Sequence, residues 1–325
     1  MSSSKIPRIR LCLVVPMFIL AGFSHVFGAE PMESMKPVSN EVFQAFSTFF
    51  QYDKSEPLEF RIVGEDPFPN GIRYKFTYRG ADKKTVTGYM AFPTNGTPPY
   101  PCMILVHGIT GNKNWWDRWM DDPEGSLVAE RILAIGYAVV AIDCANHGER
   151  LAENDFISPQ AMLVESGWMN RLRGMYLRSV VDLRRLLDHL ETDDRIDPAR
   201  FGVLGYSMGG GISLVLSGLD SRVKVVVAGA VPIWSETTFN CFPALPYAER
   251  DLLAPVAPFN FAPHVKAESL LLAMGKQDTL FTKAEAEYLL DLISSPDKEI
   301  RWYDYDHYMK EAFVEDALQW LKDNL

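Results

Sequence analysis

Two patterns of hydrophobic and polar positions divide the chain near residue 101. Before it, apolar and polar residues alternate over residues 58–63, 72–78 and 85–92, the period-two signature of antiparallel strands with one wet face. Turn residues such as Asn70-Gly71 and Gly80-Ala81-Asp82 separate these runs. After it come short, largely apolar runs over residues 103–106, 137–142, 201–204, 223–231 and 270–274, and a final strand is expected over 299–303. Strands buried on both faces of a parallel sheet read this way. Helical spacing fills the gaps: Leu172, Tyr176, Val180, Leu183, Leu187 and Leu190 recur at three and four. Another helix opens on the capping box Thr282-Lys283-Ala284-Glu285, and the last buries Phe313, Ala317, Trp320 and Leu321. An amphipathic helix is expected from Ser39 to about Tyr52. The pattern predicts an α/β fold with a mostly parallel central sheet, antiparallel N-terminal strands and helices on both faces.

Composition narrows the partners more than the fold. The chain has 325 residues, 47% of them hydrophobic, enough for one large domain, here residues 29–325. A formal net charge of -10 argues against a nucleic-acid partner and against an anionic membrane surface. Lys5, Arg8 and Arg10 precede the apolar run 11–20 and small residues near Gly28. That order reads as a signal peptide over residues 1–28, removed on export, with no stable membrane insertion afterwards and a secreted or periplasmic protein. Cys102, Cys144 and Cys241 remain, an odd number, and they are expected to be thiols. None has metal-ligand spacing, so no metal and no cofactor is expected.

The chemistry centres on Gly205-Tyr206-Ser207-Met208-Gly209, which follows the apolar run 201–204 and precedes a helix-compatible run from Ile212. A serine held at the apex of a strand-turn-helix needs glycines on both sides, because a Cβ there collides with the neighbouring strand or helix. A hydroxyl is a poor nucleophile at neutral pH and needs a base, itself oriented by an acid. His307, in the loop after the last strand, is the expected base, with His264 as its rival in a Pro-rich stretch. Asp278 follows the run 270–274 at the end where such sheets build their sites, and is the expected acid over Asp304 and Asp306. The oxyanion formed on attack calls for two backbone donors, expected from Met208 and Ile109. His107 reads as a group that stiffens the Ile109 loop, and Asp143 with His147-Gly148 as loop architecture near the pocket.

These motifs resemble the α/β-hydrolase superfamily, and within it the esterases related to dienelactone hydrolases and the catalytic domain of prolyl-oligopeptidase-type enzymes. His107-Gly108, Asp143 with His147-Gly148, the Ser207 elbow, Asp278 and His307 stand in the family's order over residues 101–325. Ser207 departs from the cysteine nucleophile of dienelactone hydrolases, which turns the expectation toward ordinary carboxylic esters. The roughly 70 residues between the expected signal segment and position 101 cannot supply a propeller. The segment 232–265, long and aromatic, is expected to be a lid before the acid-bearing strand. Trp115, Trp234 and Phe239 are expected to line the pocket, with Trp116 and Trp119 near it. The resemblance implies a serine carboxylester hydrolase acting on a small-molecule ester through an acyl-enzyme. A serine peptidase or acyltransferase would use the same triad, and a non-catalytic binding protein of the same fold is a further alternative.

Overall fold

The alternating and continuous runs assemble into one sheet. The structure, a computed structural model, describes residues 33–117, 128–165, 168–309 and 311–325. The expected signal segment and Trp119 lie outside these. Among the described residues, nine strands stand in the order β1-β2-β3-β5-β4-β6-β7-β8-β9. β1 (Arg61–Phe68), β2 (Gly71–Arg79) and β3 (Thr85–Pro93) are antiparallel, and β3 also runs antiparallel to β5 (Ala138–Ile142). β4 (Tyr100–Val106), β5, β6 (Ile196–Tyr206), β7 (Val223–Gly229), β8 (Ser269–Gly275) and β9 (Asp297–Tyr303) are parallel. This is the α/β-hydrolase fold.

β1 and β6 depart furthest from the sequence reading, while β4, β7 and β9 differ from it by two or three residues at one end. The first strand was expected over 58–63 but runs Arg61–Phe68, because its register is set by pairing, from Arg61 opposite Thr77 to Phe68 opposite Gly71. It is a solvated edge, so burial left no clear alternation to read. β6 begins at Ile196, five residues before the apolar run, since Ile196 pairs with Tyr100 across a register irregularity.

Core residues lie on both faces of the sheet. On one face, α4 (Met169–Leu190) and α5 (Met208–Leu219) pack against strand residues such as Ile104 and Val203. Leu172, Val180, Leu183, Leu186, Leu187 and Leu190 of α4 are fully buried. At about 1.5–3 kcal/mol each, their burial outweighs the arginine-rich opposite side in docking the helix. On the other face, α2 (Val128–Ala134) and α9 (Glu311–Asn324) cover Leu105, Val225 and Leu271. α8 (Lys283–Leu292) starts on the expected capping box, with Thr282 and Glu285 exchanging bonds.

Segment 232–265 folds into two short helices and three 3₁₀ stretches, and its aromatic residues pack against the core. Phe261 sits between Phe43 and Phe50, and His264 stacks on Phe43 at 3.4 Å, which ties α1 (Asn40–Thr48) to this segment. Cys102 and Cys144 are buried thiols and Cys241 is a half-buried one.

Candidate active site

The sharpest backbone feature of the fold falls where β6 ends. Ser207 has φ 54° and ψ -120°, a conformation that costs a non-glycine residue on the order of 1–3 kcal/mol. Surrounding contacts hold it there: its N–H donates to the Gly229 carbonyl at 2.8 Å, and its carbonyl accepts from Gly211 N–H at 3.1 Å. The flanking glycines have no alternative. A Cβ on Gly205 would stand 2.2 Å from the Gly209 carbonyl oxygen, and one on Gly209 would stand 2.0 Å from that of Val106. The turn therefore lifts the Ser207 hydroxyl off the end of a central strand.

The loops that follow β8 and β9 are joined by backbone bonds. Lys276 N–H donates to Tyr303 O at 2.8 Å and Gln277 N–H to Tyr305 O at 3.0 Å. This pairing carries Asp278 to His307. His307 Nδ1 donates to Asp278 Oδ2 at 2.7 Å, and its Nε2 accepts from the Ser207 hydroxyl at 2.9 Å. The Asp278 side chain is fully buried while that of His307 is 22% exposed, so of the two only the imidazole reaches the surface. The other Asp278 oxygen accepts from Leu280 N–H at 2.9 Å. Tyr206, next to the nucleophile, donates its hydroxyl to the His307 carbonyl at 2.6 Å and accepts from Met309 N–H at 2.9 Å. That clamp fixes the loop bearing the imidazole, and the sequence reading missed it, since a tyrosine inside the elbow motif gives no sign of where its hydroxyl reaches.

The rival residues are occupied elsewhere. Asp304 pairs with Lys276 in solvent at 2.7 Å, Asp306 caps Tyr308 N–H at 2.9 Å, and His264 is taken by Phe43.

The loop after β4 lies directly over the nucleophile, with a Cβ built on Gly108 falling 3.7 Å from the Ser207 Cβ. Met208 opens α5, where N–H groups have no acceptor inside the helix. Beneath the loop is a buried polar assembly. Asp143 accepts from the Lys113 N–H at 2.9 Å and its ammonium at 2.8 Å, and from the Thr87 hydroxyl at 2.7 Å. Burial pushes the Asp143 carboxyl up, but the Lys113 bonds outweigh it and hold it below the ordinary range. His107 meets His147 edge to face, ring centroids 4.7 Å apart. His147 Nε2 stands 3.0 Å from the Ile109 carbonyl and Nδ1 2.9 Å from that of Ala145. Asp143 and His147 thus brace the loop that carries Ile109.

Burial drives the His107 imidazole down to about 4 and that of His147 to about 3. The unfolded chain binds both protons near pH 6.5, so between there and about 4 it holds more protons than the folded chain, and stability falls as the pH drops. The expected Tm loss from pH 7 to pH 4.5 is on the order of 10 °C, read by calorimetry. A flat profile over that window would mean that the folded protein accepts these protons as readily as the unfolded chain.

The expected pocket residues divide. Trp115 is half-buried, its ring 5.7 Å from that of Tyr206. Trp234 and Phe239 are only 4% and 2% exposed and pack on each other, on Tyr176 and on Tyr247, as part of the core. Among the described residues, no cluster of His, Cys, Asp and Glu has the form of a metal site.

Fold and site together define an α/β-hydrolase with a serine, a histidine and an aspartate hydrogen-bonded in line at the carboxyl end of its sheet. The acetyl xylan esterase (AXE1) family profile matches residues 54–239, more than half of the sequence. The chain belongs to that family, whose class of chemistry is carboxylester hydrolysis. Acetyl xylan esterases of Paenibacillus sp. R4 and Thermoanaerobacterium sp. JW/SL YS485 share the fold. The first has a TM-score of 0.68 at 20% identity, covering 92% of this chain and 100% of that one. The second has a TM-score of 0.70 at 20% identity, covering 91% and 99%. YtaP of Bacillus subtilis (strain 168), a hydrolase by name, is 27% identical over 148 residues, 43% of this chain. The chain spans less than half the length of the curated relatives it matches, 46% and 41%.

Proposed function

We propose that ester hydrolysis in this chain runs through an acyl-enzyme on Ser207. The observation that carries the reading is the line of bonds from Asp278 Oδ2 through His307 to the Ser207 hydroxyl, 2.7 Å and 2.9 Å long, ending on a strained serine. As Ser207 Oγ attacks the ester carbonyl carbon, His307 Nε2 takes the hydroxyl proton. The buried Asp278 carboxylate holds the imidazole as its Nδ1–H tautomer and stabilises the imidazolium. The carbonyl oxygen becomes an oxyanion, which the N–H groups of Met208 and Ile109 receive. Collapse breaks the bond to the alcohol oxygen, which takes its proton from His307. Water, activated by the same imidazole, then attacks the acyl carbon and frees the acid and Ser207.

The substrate class is an acetyl ester on a sugar or a similar small alcohol, a reading that rests on the family. The inward turn of Trp234 and Phe239 supports a short acyl group, since it fills the segment 232–265 with its own side chains. Rates on p-nitrophenyl acetate, butyrate and octanoate are the test. The expected kcat/KM falls at least tenfold from acetate to butyrate, and an octanoate preference would reject the short pocket. The reading places the protein outside the cytoplasm, because of its basic, apolar, small-residue N-terminus.

A further inference from the structure

The loop over Ser207 is fixed by an imidazole with only one proton to give. His107 is fully buried, and its two ring nitrogens have different neighbours. Nε2 lies 3.1 Å from the Cys144 backbone N–H, which can only donate, so Nε2 must be the bare nitrogen. The proton then sits on Nδ1, which faces the Gly108 carbonyl at 2.8 Å and donates to it. Gly111 N–H donates to the same carbonyl at 2.9 Å. The Gly108 carbonyl and the Ile109 N–H belong to one planar trans peptide, in which they point in opposite directions. Whatever holds the carbonyl back therefore aims the N–H the other way. A carbonyl anchored twice on the His107 side leaves little freedom to the donor, and this loop passes within van der Waals reach of Ser207.

We propose that His107 is a positioning residue whose Nδ1–H tautomer, selected by the Cys144 N–H, sets the direction of the Ile109 N–H that receives the oxyanion. The proposal rests on the acyl-enzyme reading above and adds to it how one oxyanion donor is held in place before substrate arrives. If the ring carried its proton on Nε2 instead, it would face the Cys144 N–H donor to donor and lose its grip on Gly108. The peptide could then rotate, carrying the Ile109 N–H away from the nucleophile.

Two substitutions separate this role from mere filling of space. In His107→Asn the amide Nδ2 stands near the place of Nδ1 and can donate to Gly108 O. In His107→Gln the amide oxygen stands near the place of Nε2 and accepts from Cys144 N–H, with no donor left at the Nδ1 position. The expected result with p-nitrophenyl acetate is a loss in kcat of about 10²-fold for His107→Gln with KM changed less than about threefold, the size of losing one oxyanion donor. His107→Asn recovers most of that kcat. Equal losses in both variants, or a more active His107→Gln, would overturn the proposal. Nitrogen NMR of the wild-type imidazole gives a second reading that needs no variant to fold: a protonated Nδ1 and bare Nε2 are expected, and the reverse would overturn it. The NMR measurement needs no turnover, so a parent protein inactive on every ester would reject the acyl-enzyme reading while the tautomer is judged by itself.

Discussion

Replacing Ser207 with alanine lowers kcat by at least about 10⁴-fold and leaves the fold intact. The loss is that large because the other members of the line have no other route to the substrate: His307 Nε2 reaches the reaction only through the Ser207 hydroxyl, 2.9 Å away. Backbone geometry is preserved because the strain at this position is imposed from outside, by Gly229 and Gly211, and alanine meets the same cost at φ 54° as serine does. What remains is whatever the oxyanion donors and substrate binding supply without a nucleophile. Initial rates on p-nitrophenyl acetate, with a thermal melt to verify folding, measure it. A variant retaining more than about a tenth of the parent rate would remove Ser207 from the chemistry.

Asp278→Asn carries the second-largest expected effect, about 10²–10⁴-fold in kcat. The carboxylate accepts from His307 Nδ1 on one oxygen and from Leu280 N–H on the other. An amide can keep one of these bonds as acceptor, but its NH₂ end must then face a donor or turn the imidazole to the Nε2–H tautomer. In that tautomer the ring cannot take the serine proton. Asp304→Asn and Asp306→Asn, whose carboxylates face Lys276 and Tyr308 N–H, are expected to cost less than about tenfold each. The ranking of the three, taken from kcat at one pH, is the measurement. If Asp304→Asn or Asp306→Asn proved the more damaging, the role would pass to the loop beside His307.

The elbow was legible in the sequence because its physics leaves few choices: a backbone that brings Gly209 within 2.0 Å of Val106 O, measured from a built Cβ, admits no side chain. The inner parallel strands β4, β5, β7 and β8 were legible for a similar reason, since burial on both faces favours apolar runs. The capping box at Thr282 was equally plain, because both its bonds are local. Long-range pairing was not legible. Nothing in Lys276 or Gln277 announces that their N–H groups bond Tyr303 and Tyr305, yet those bonds bring Asp278 to His307. Lys113, whose side chain is 3% exposed and neutralises Asp143, carries no mark in the sequence. Its signal would have been Asp143, the aspartate just after β5, which needs a buried cation. The aromatic residues of 232–265 misled in another way: Trp234 and Phe239 would suit a pocket wall or a core, and composition does not distinguish the two.

The account stands on Ser207 as the atom that carries the acyl group, and one covalent label tests that most directly. The protein is treated with an excess of a fluorophosphonate, its intact mass recorded, and its peptides mapped. A single adduct on the peptide carrying Ser207, absent from Ser207→Ala, is the expected result. A label on another residue, or one that persists in Ser207→Ala, would contradict it.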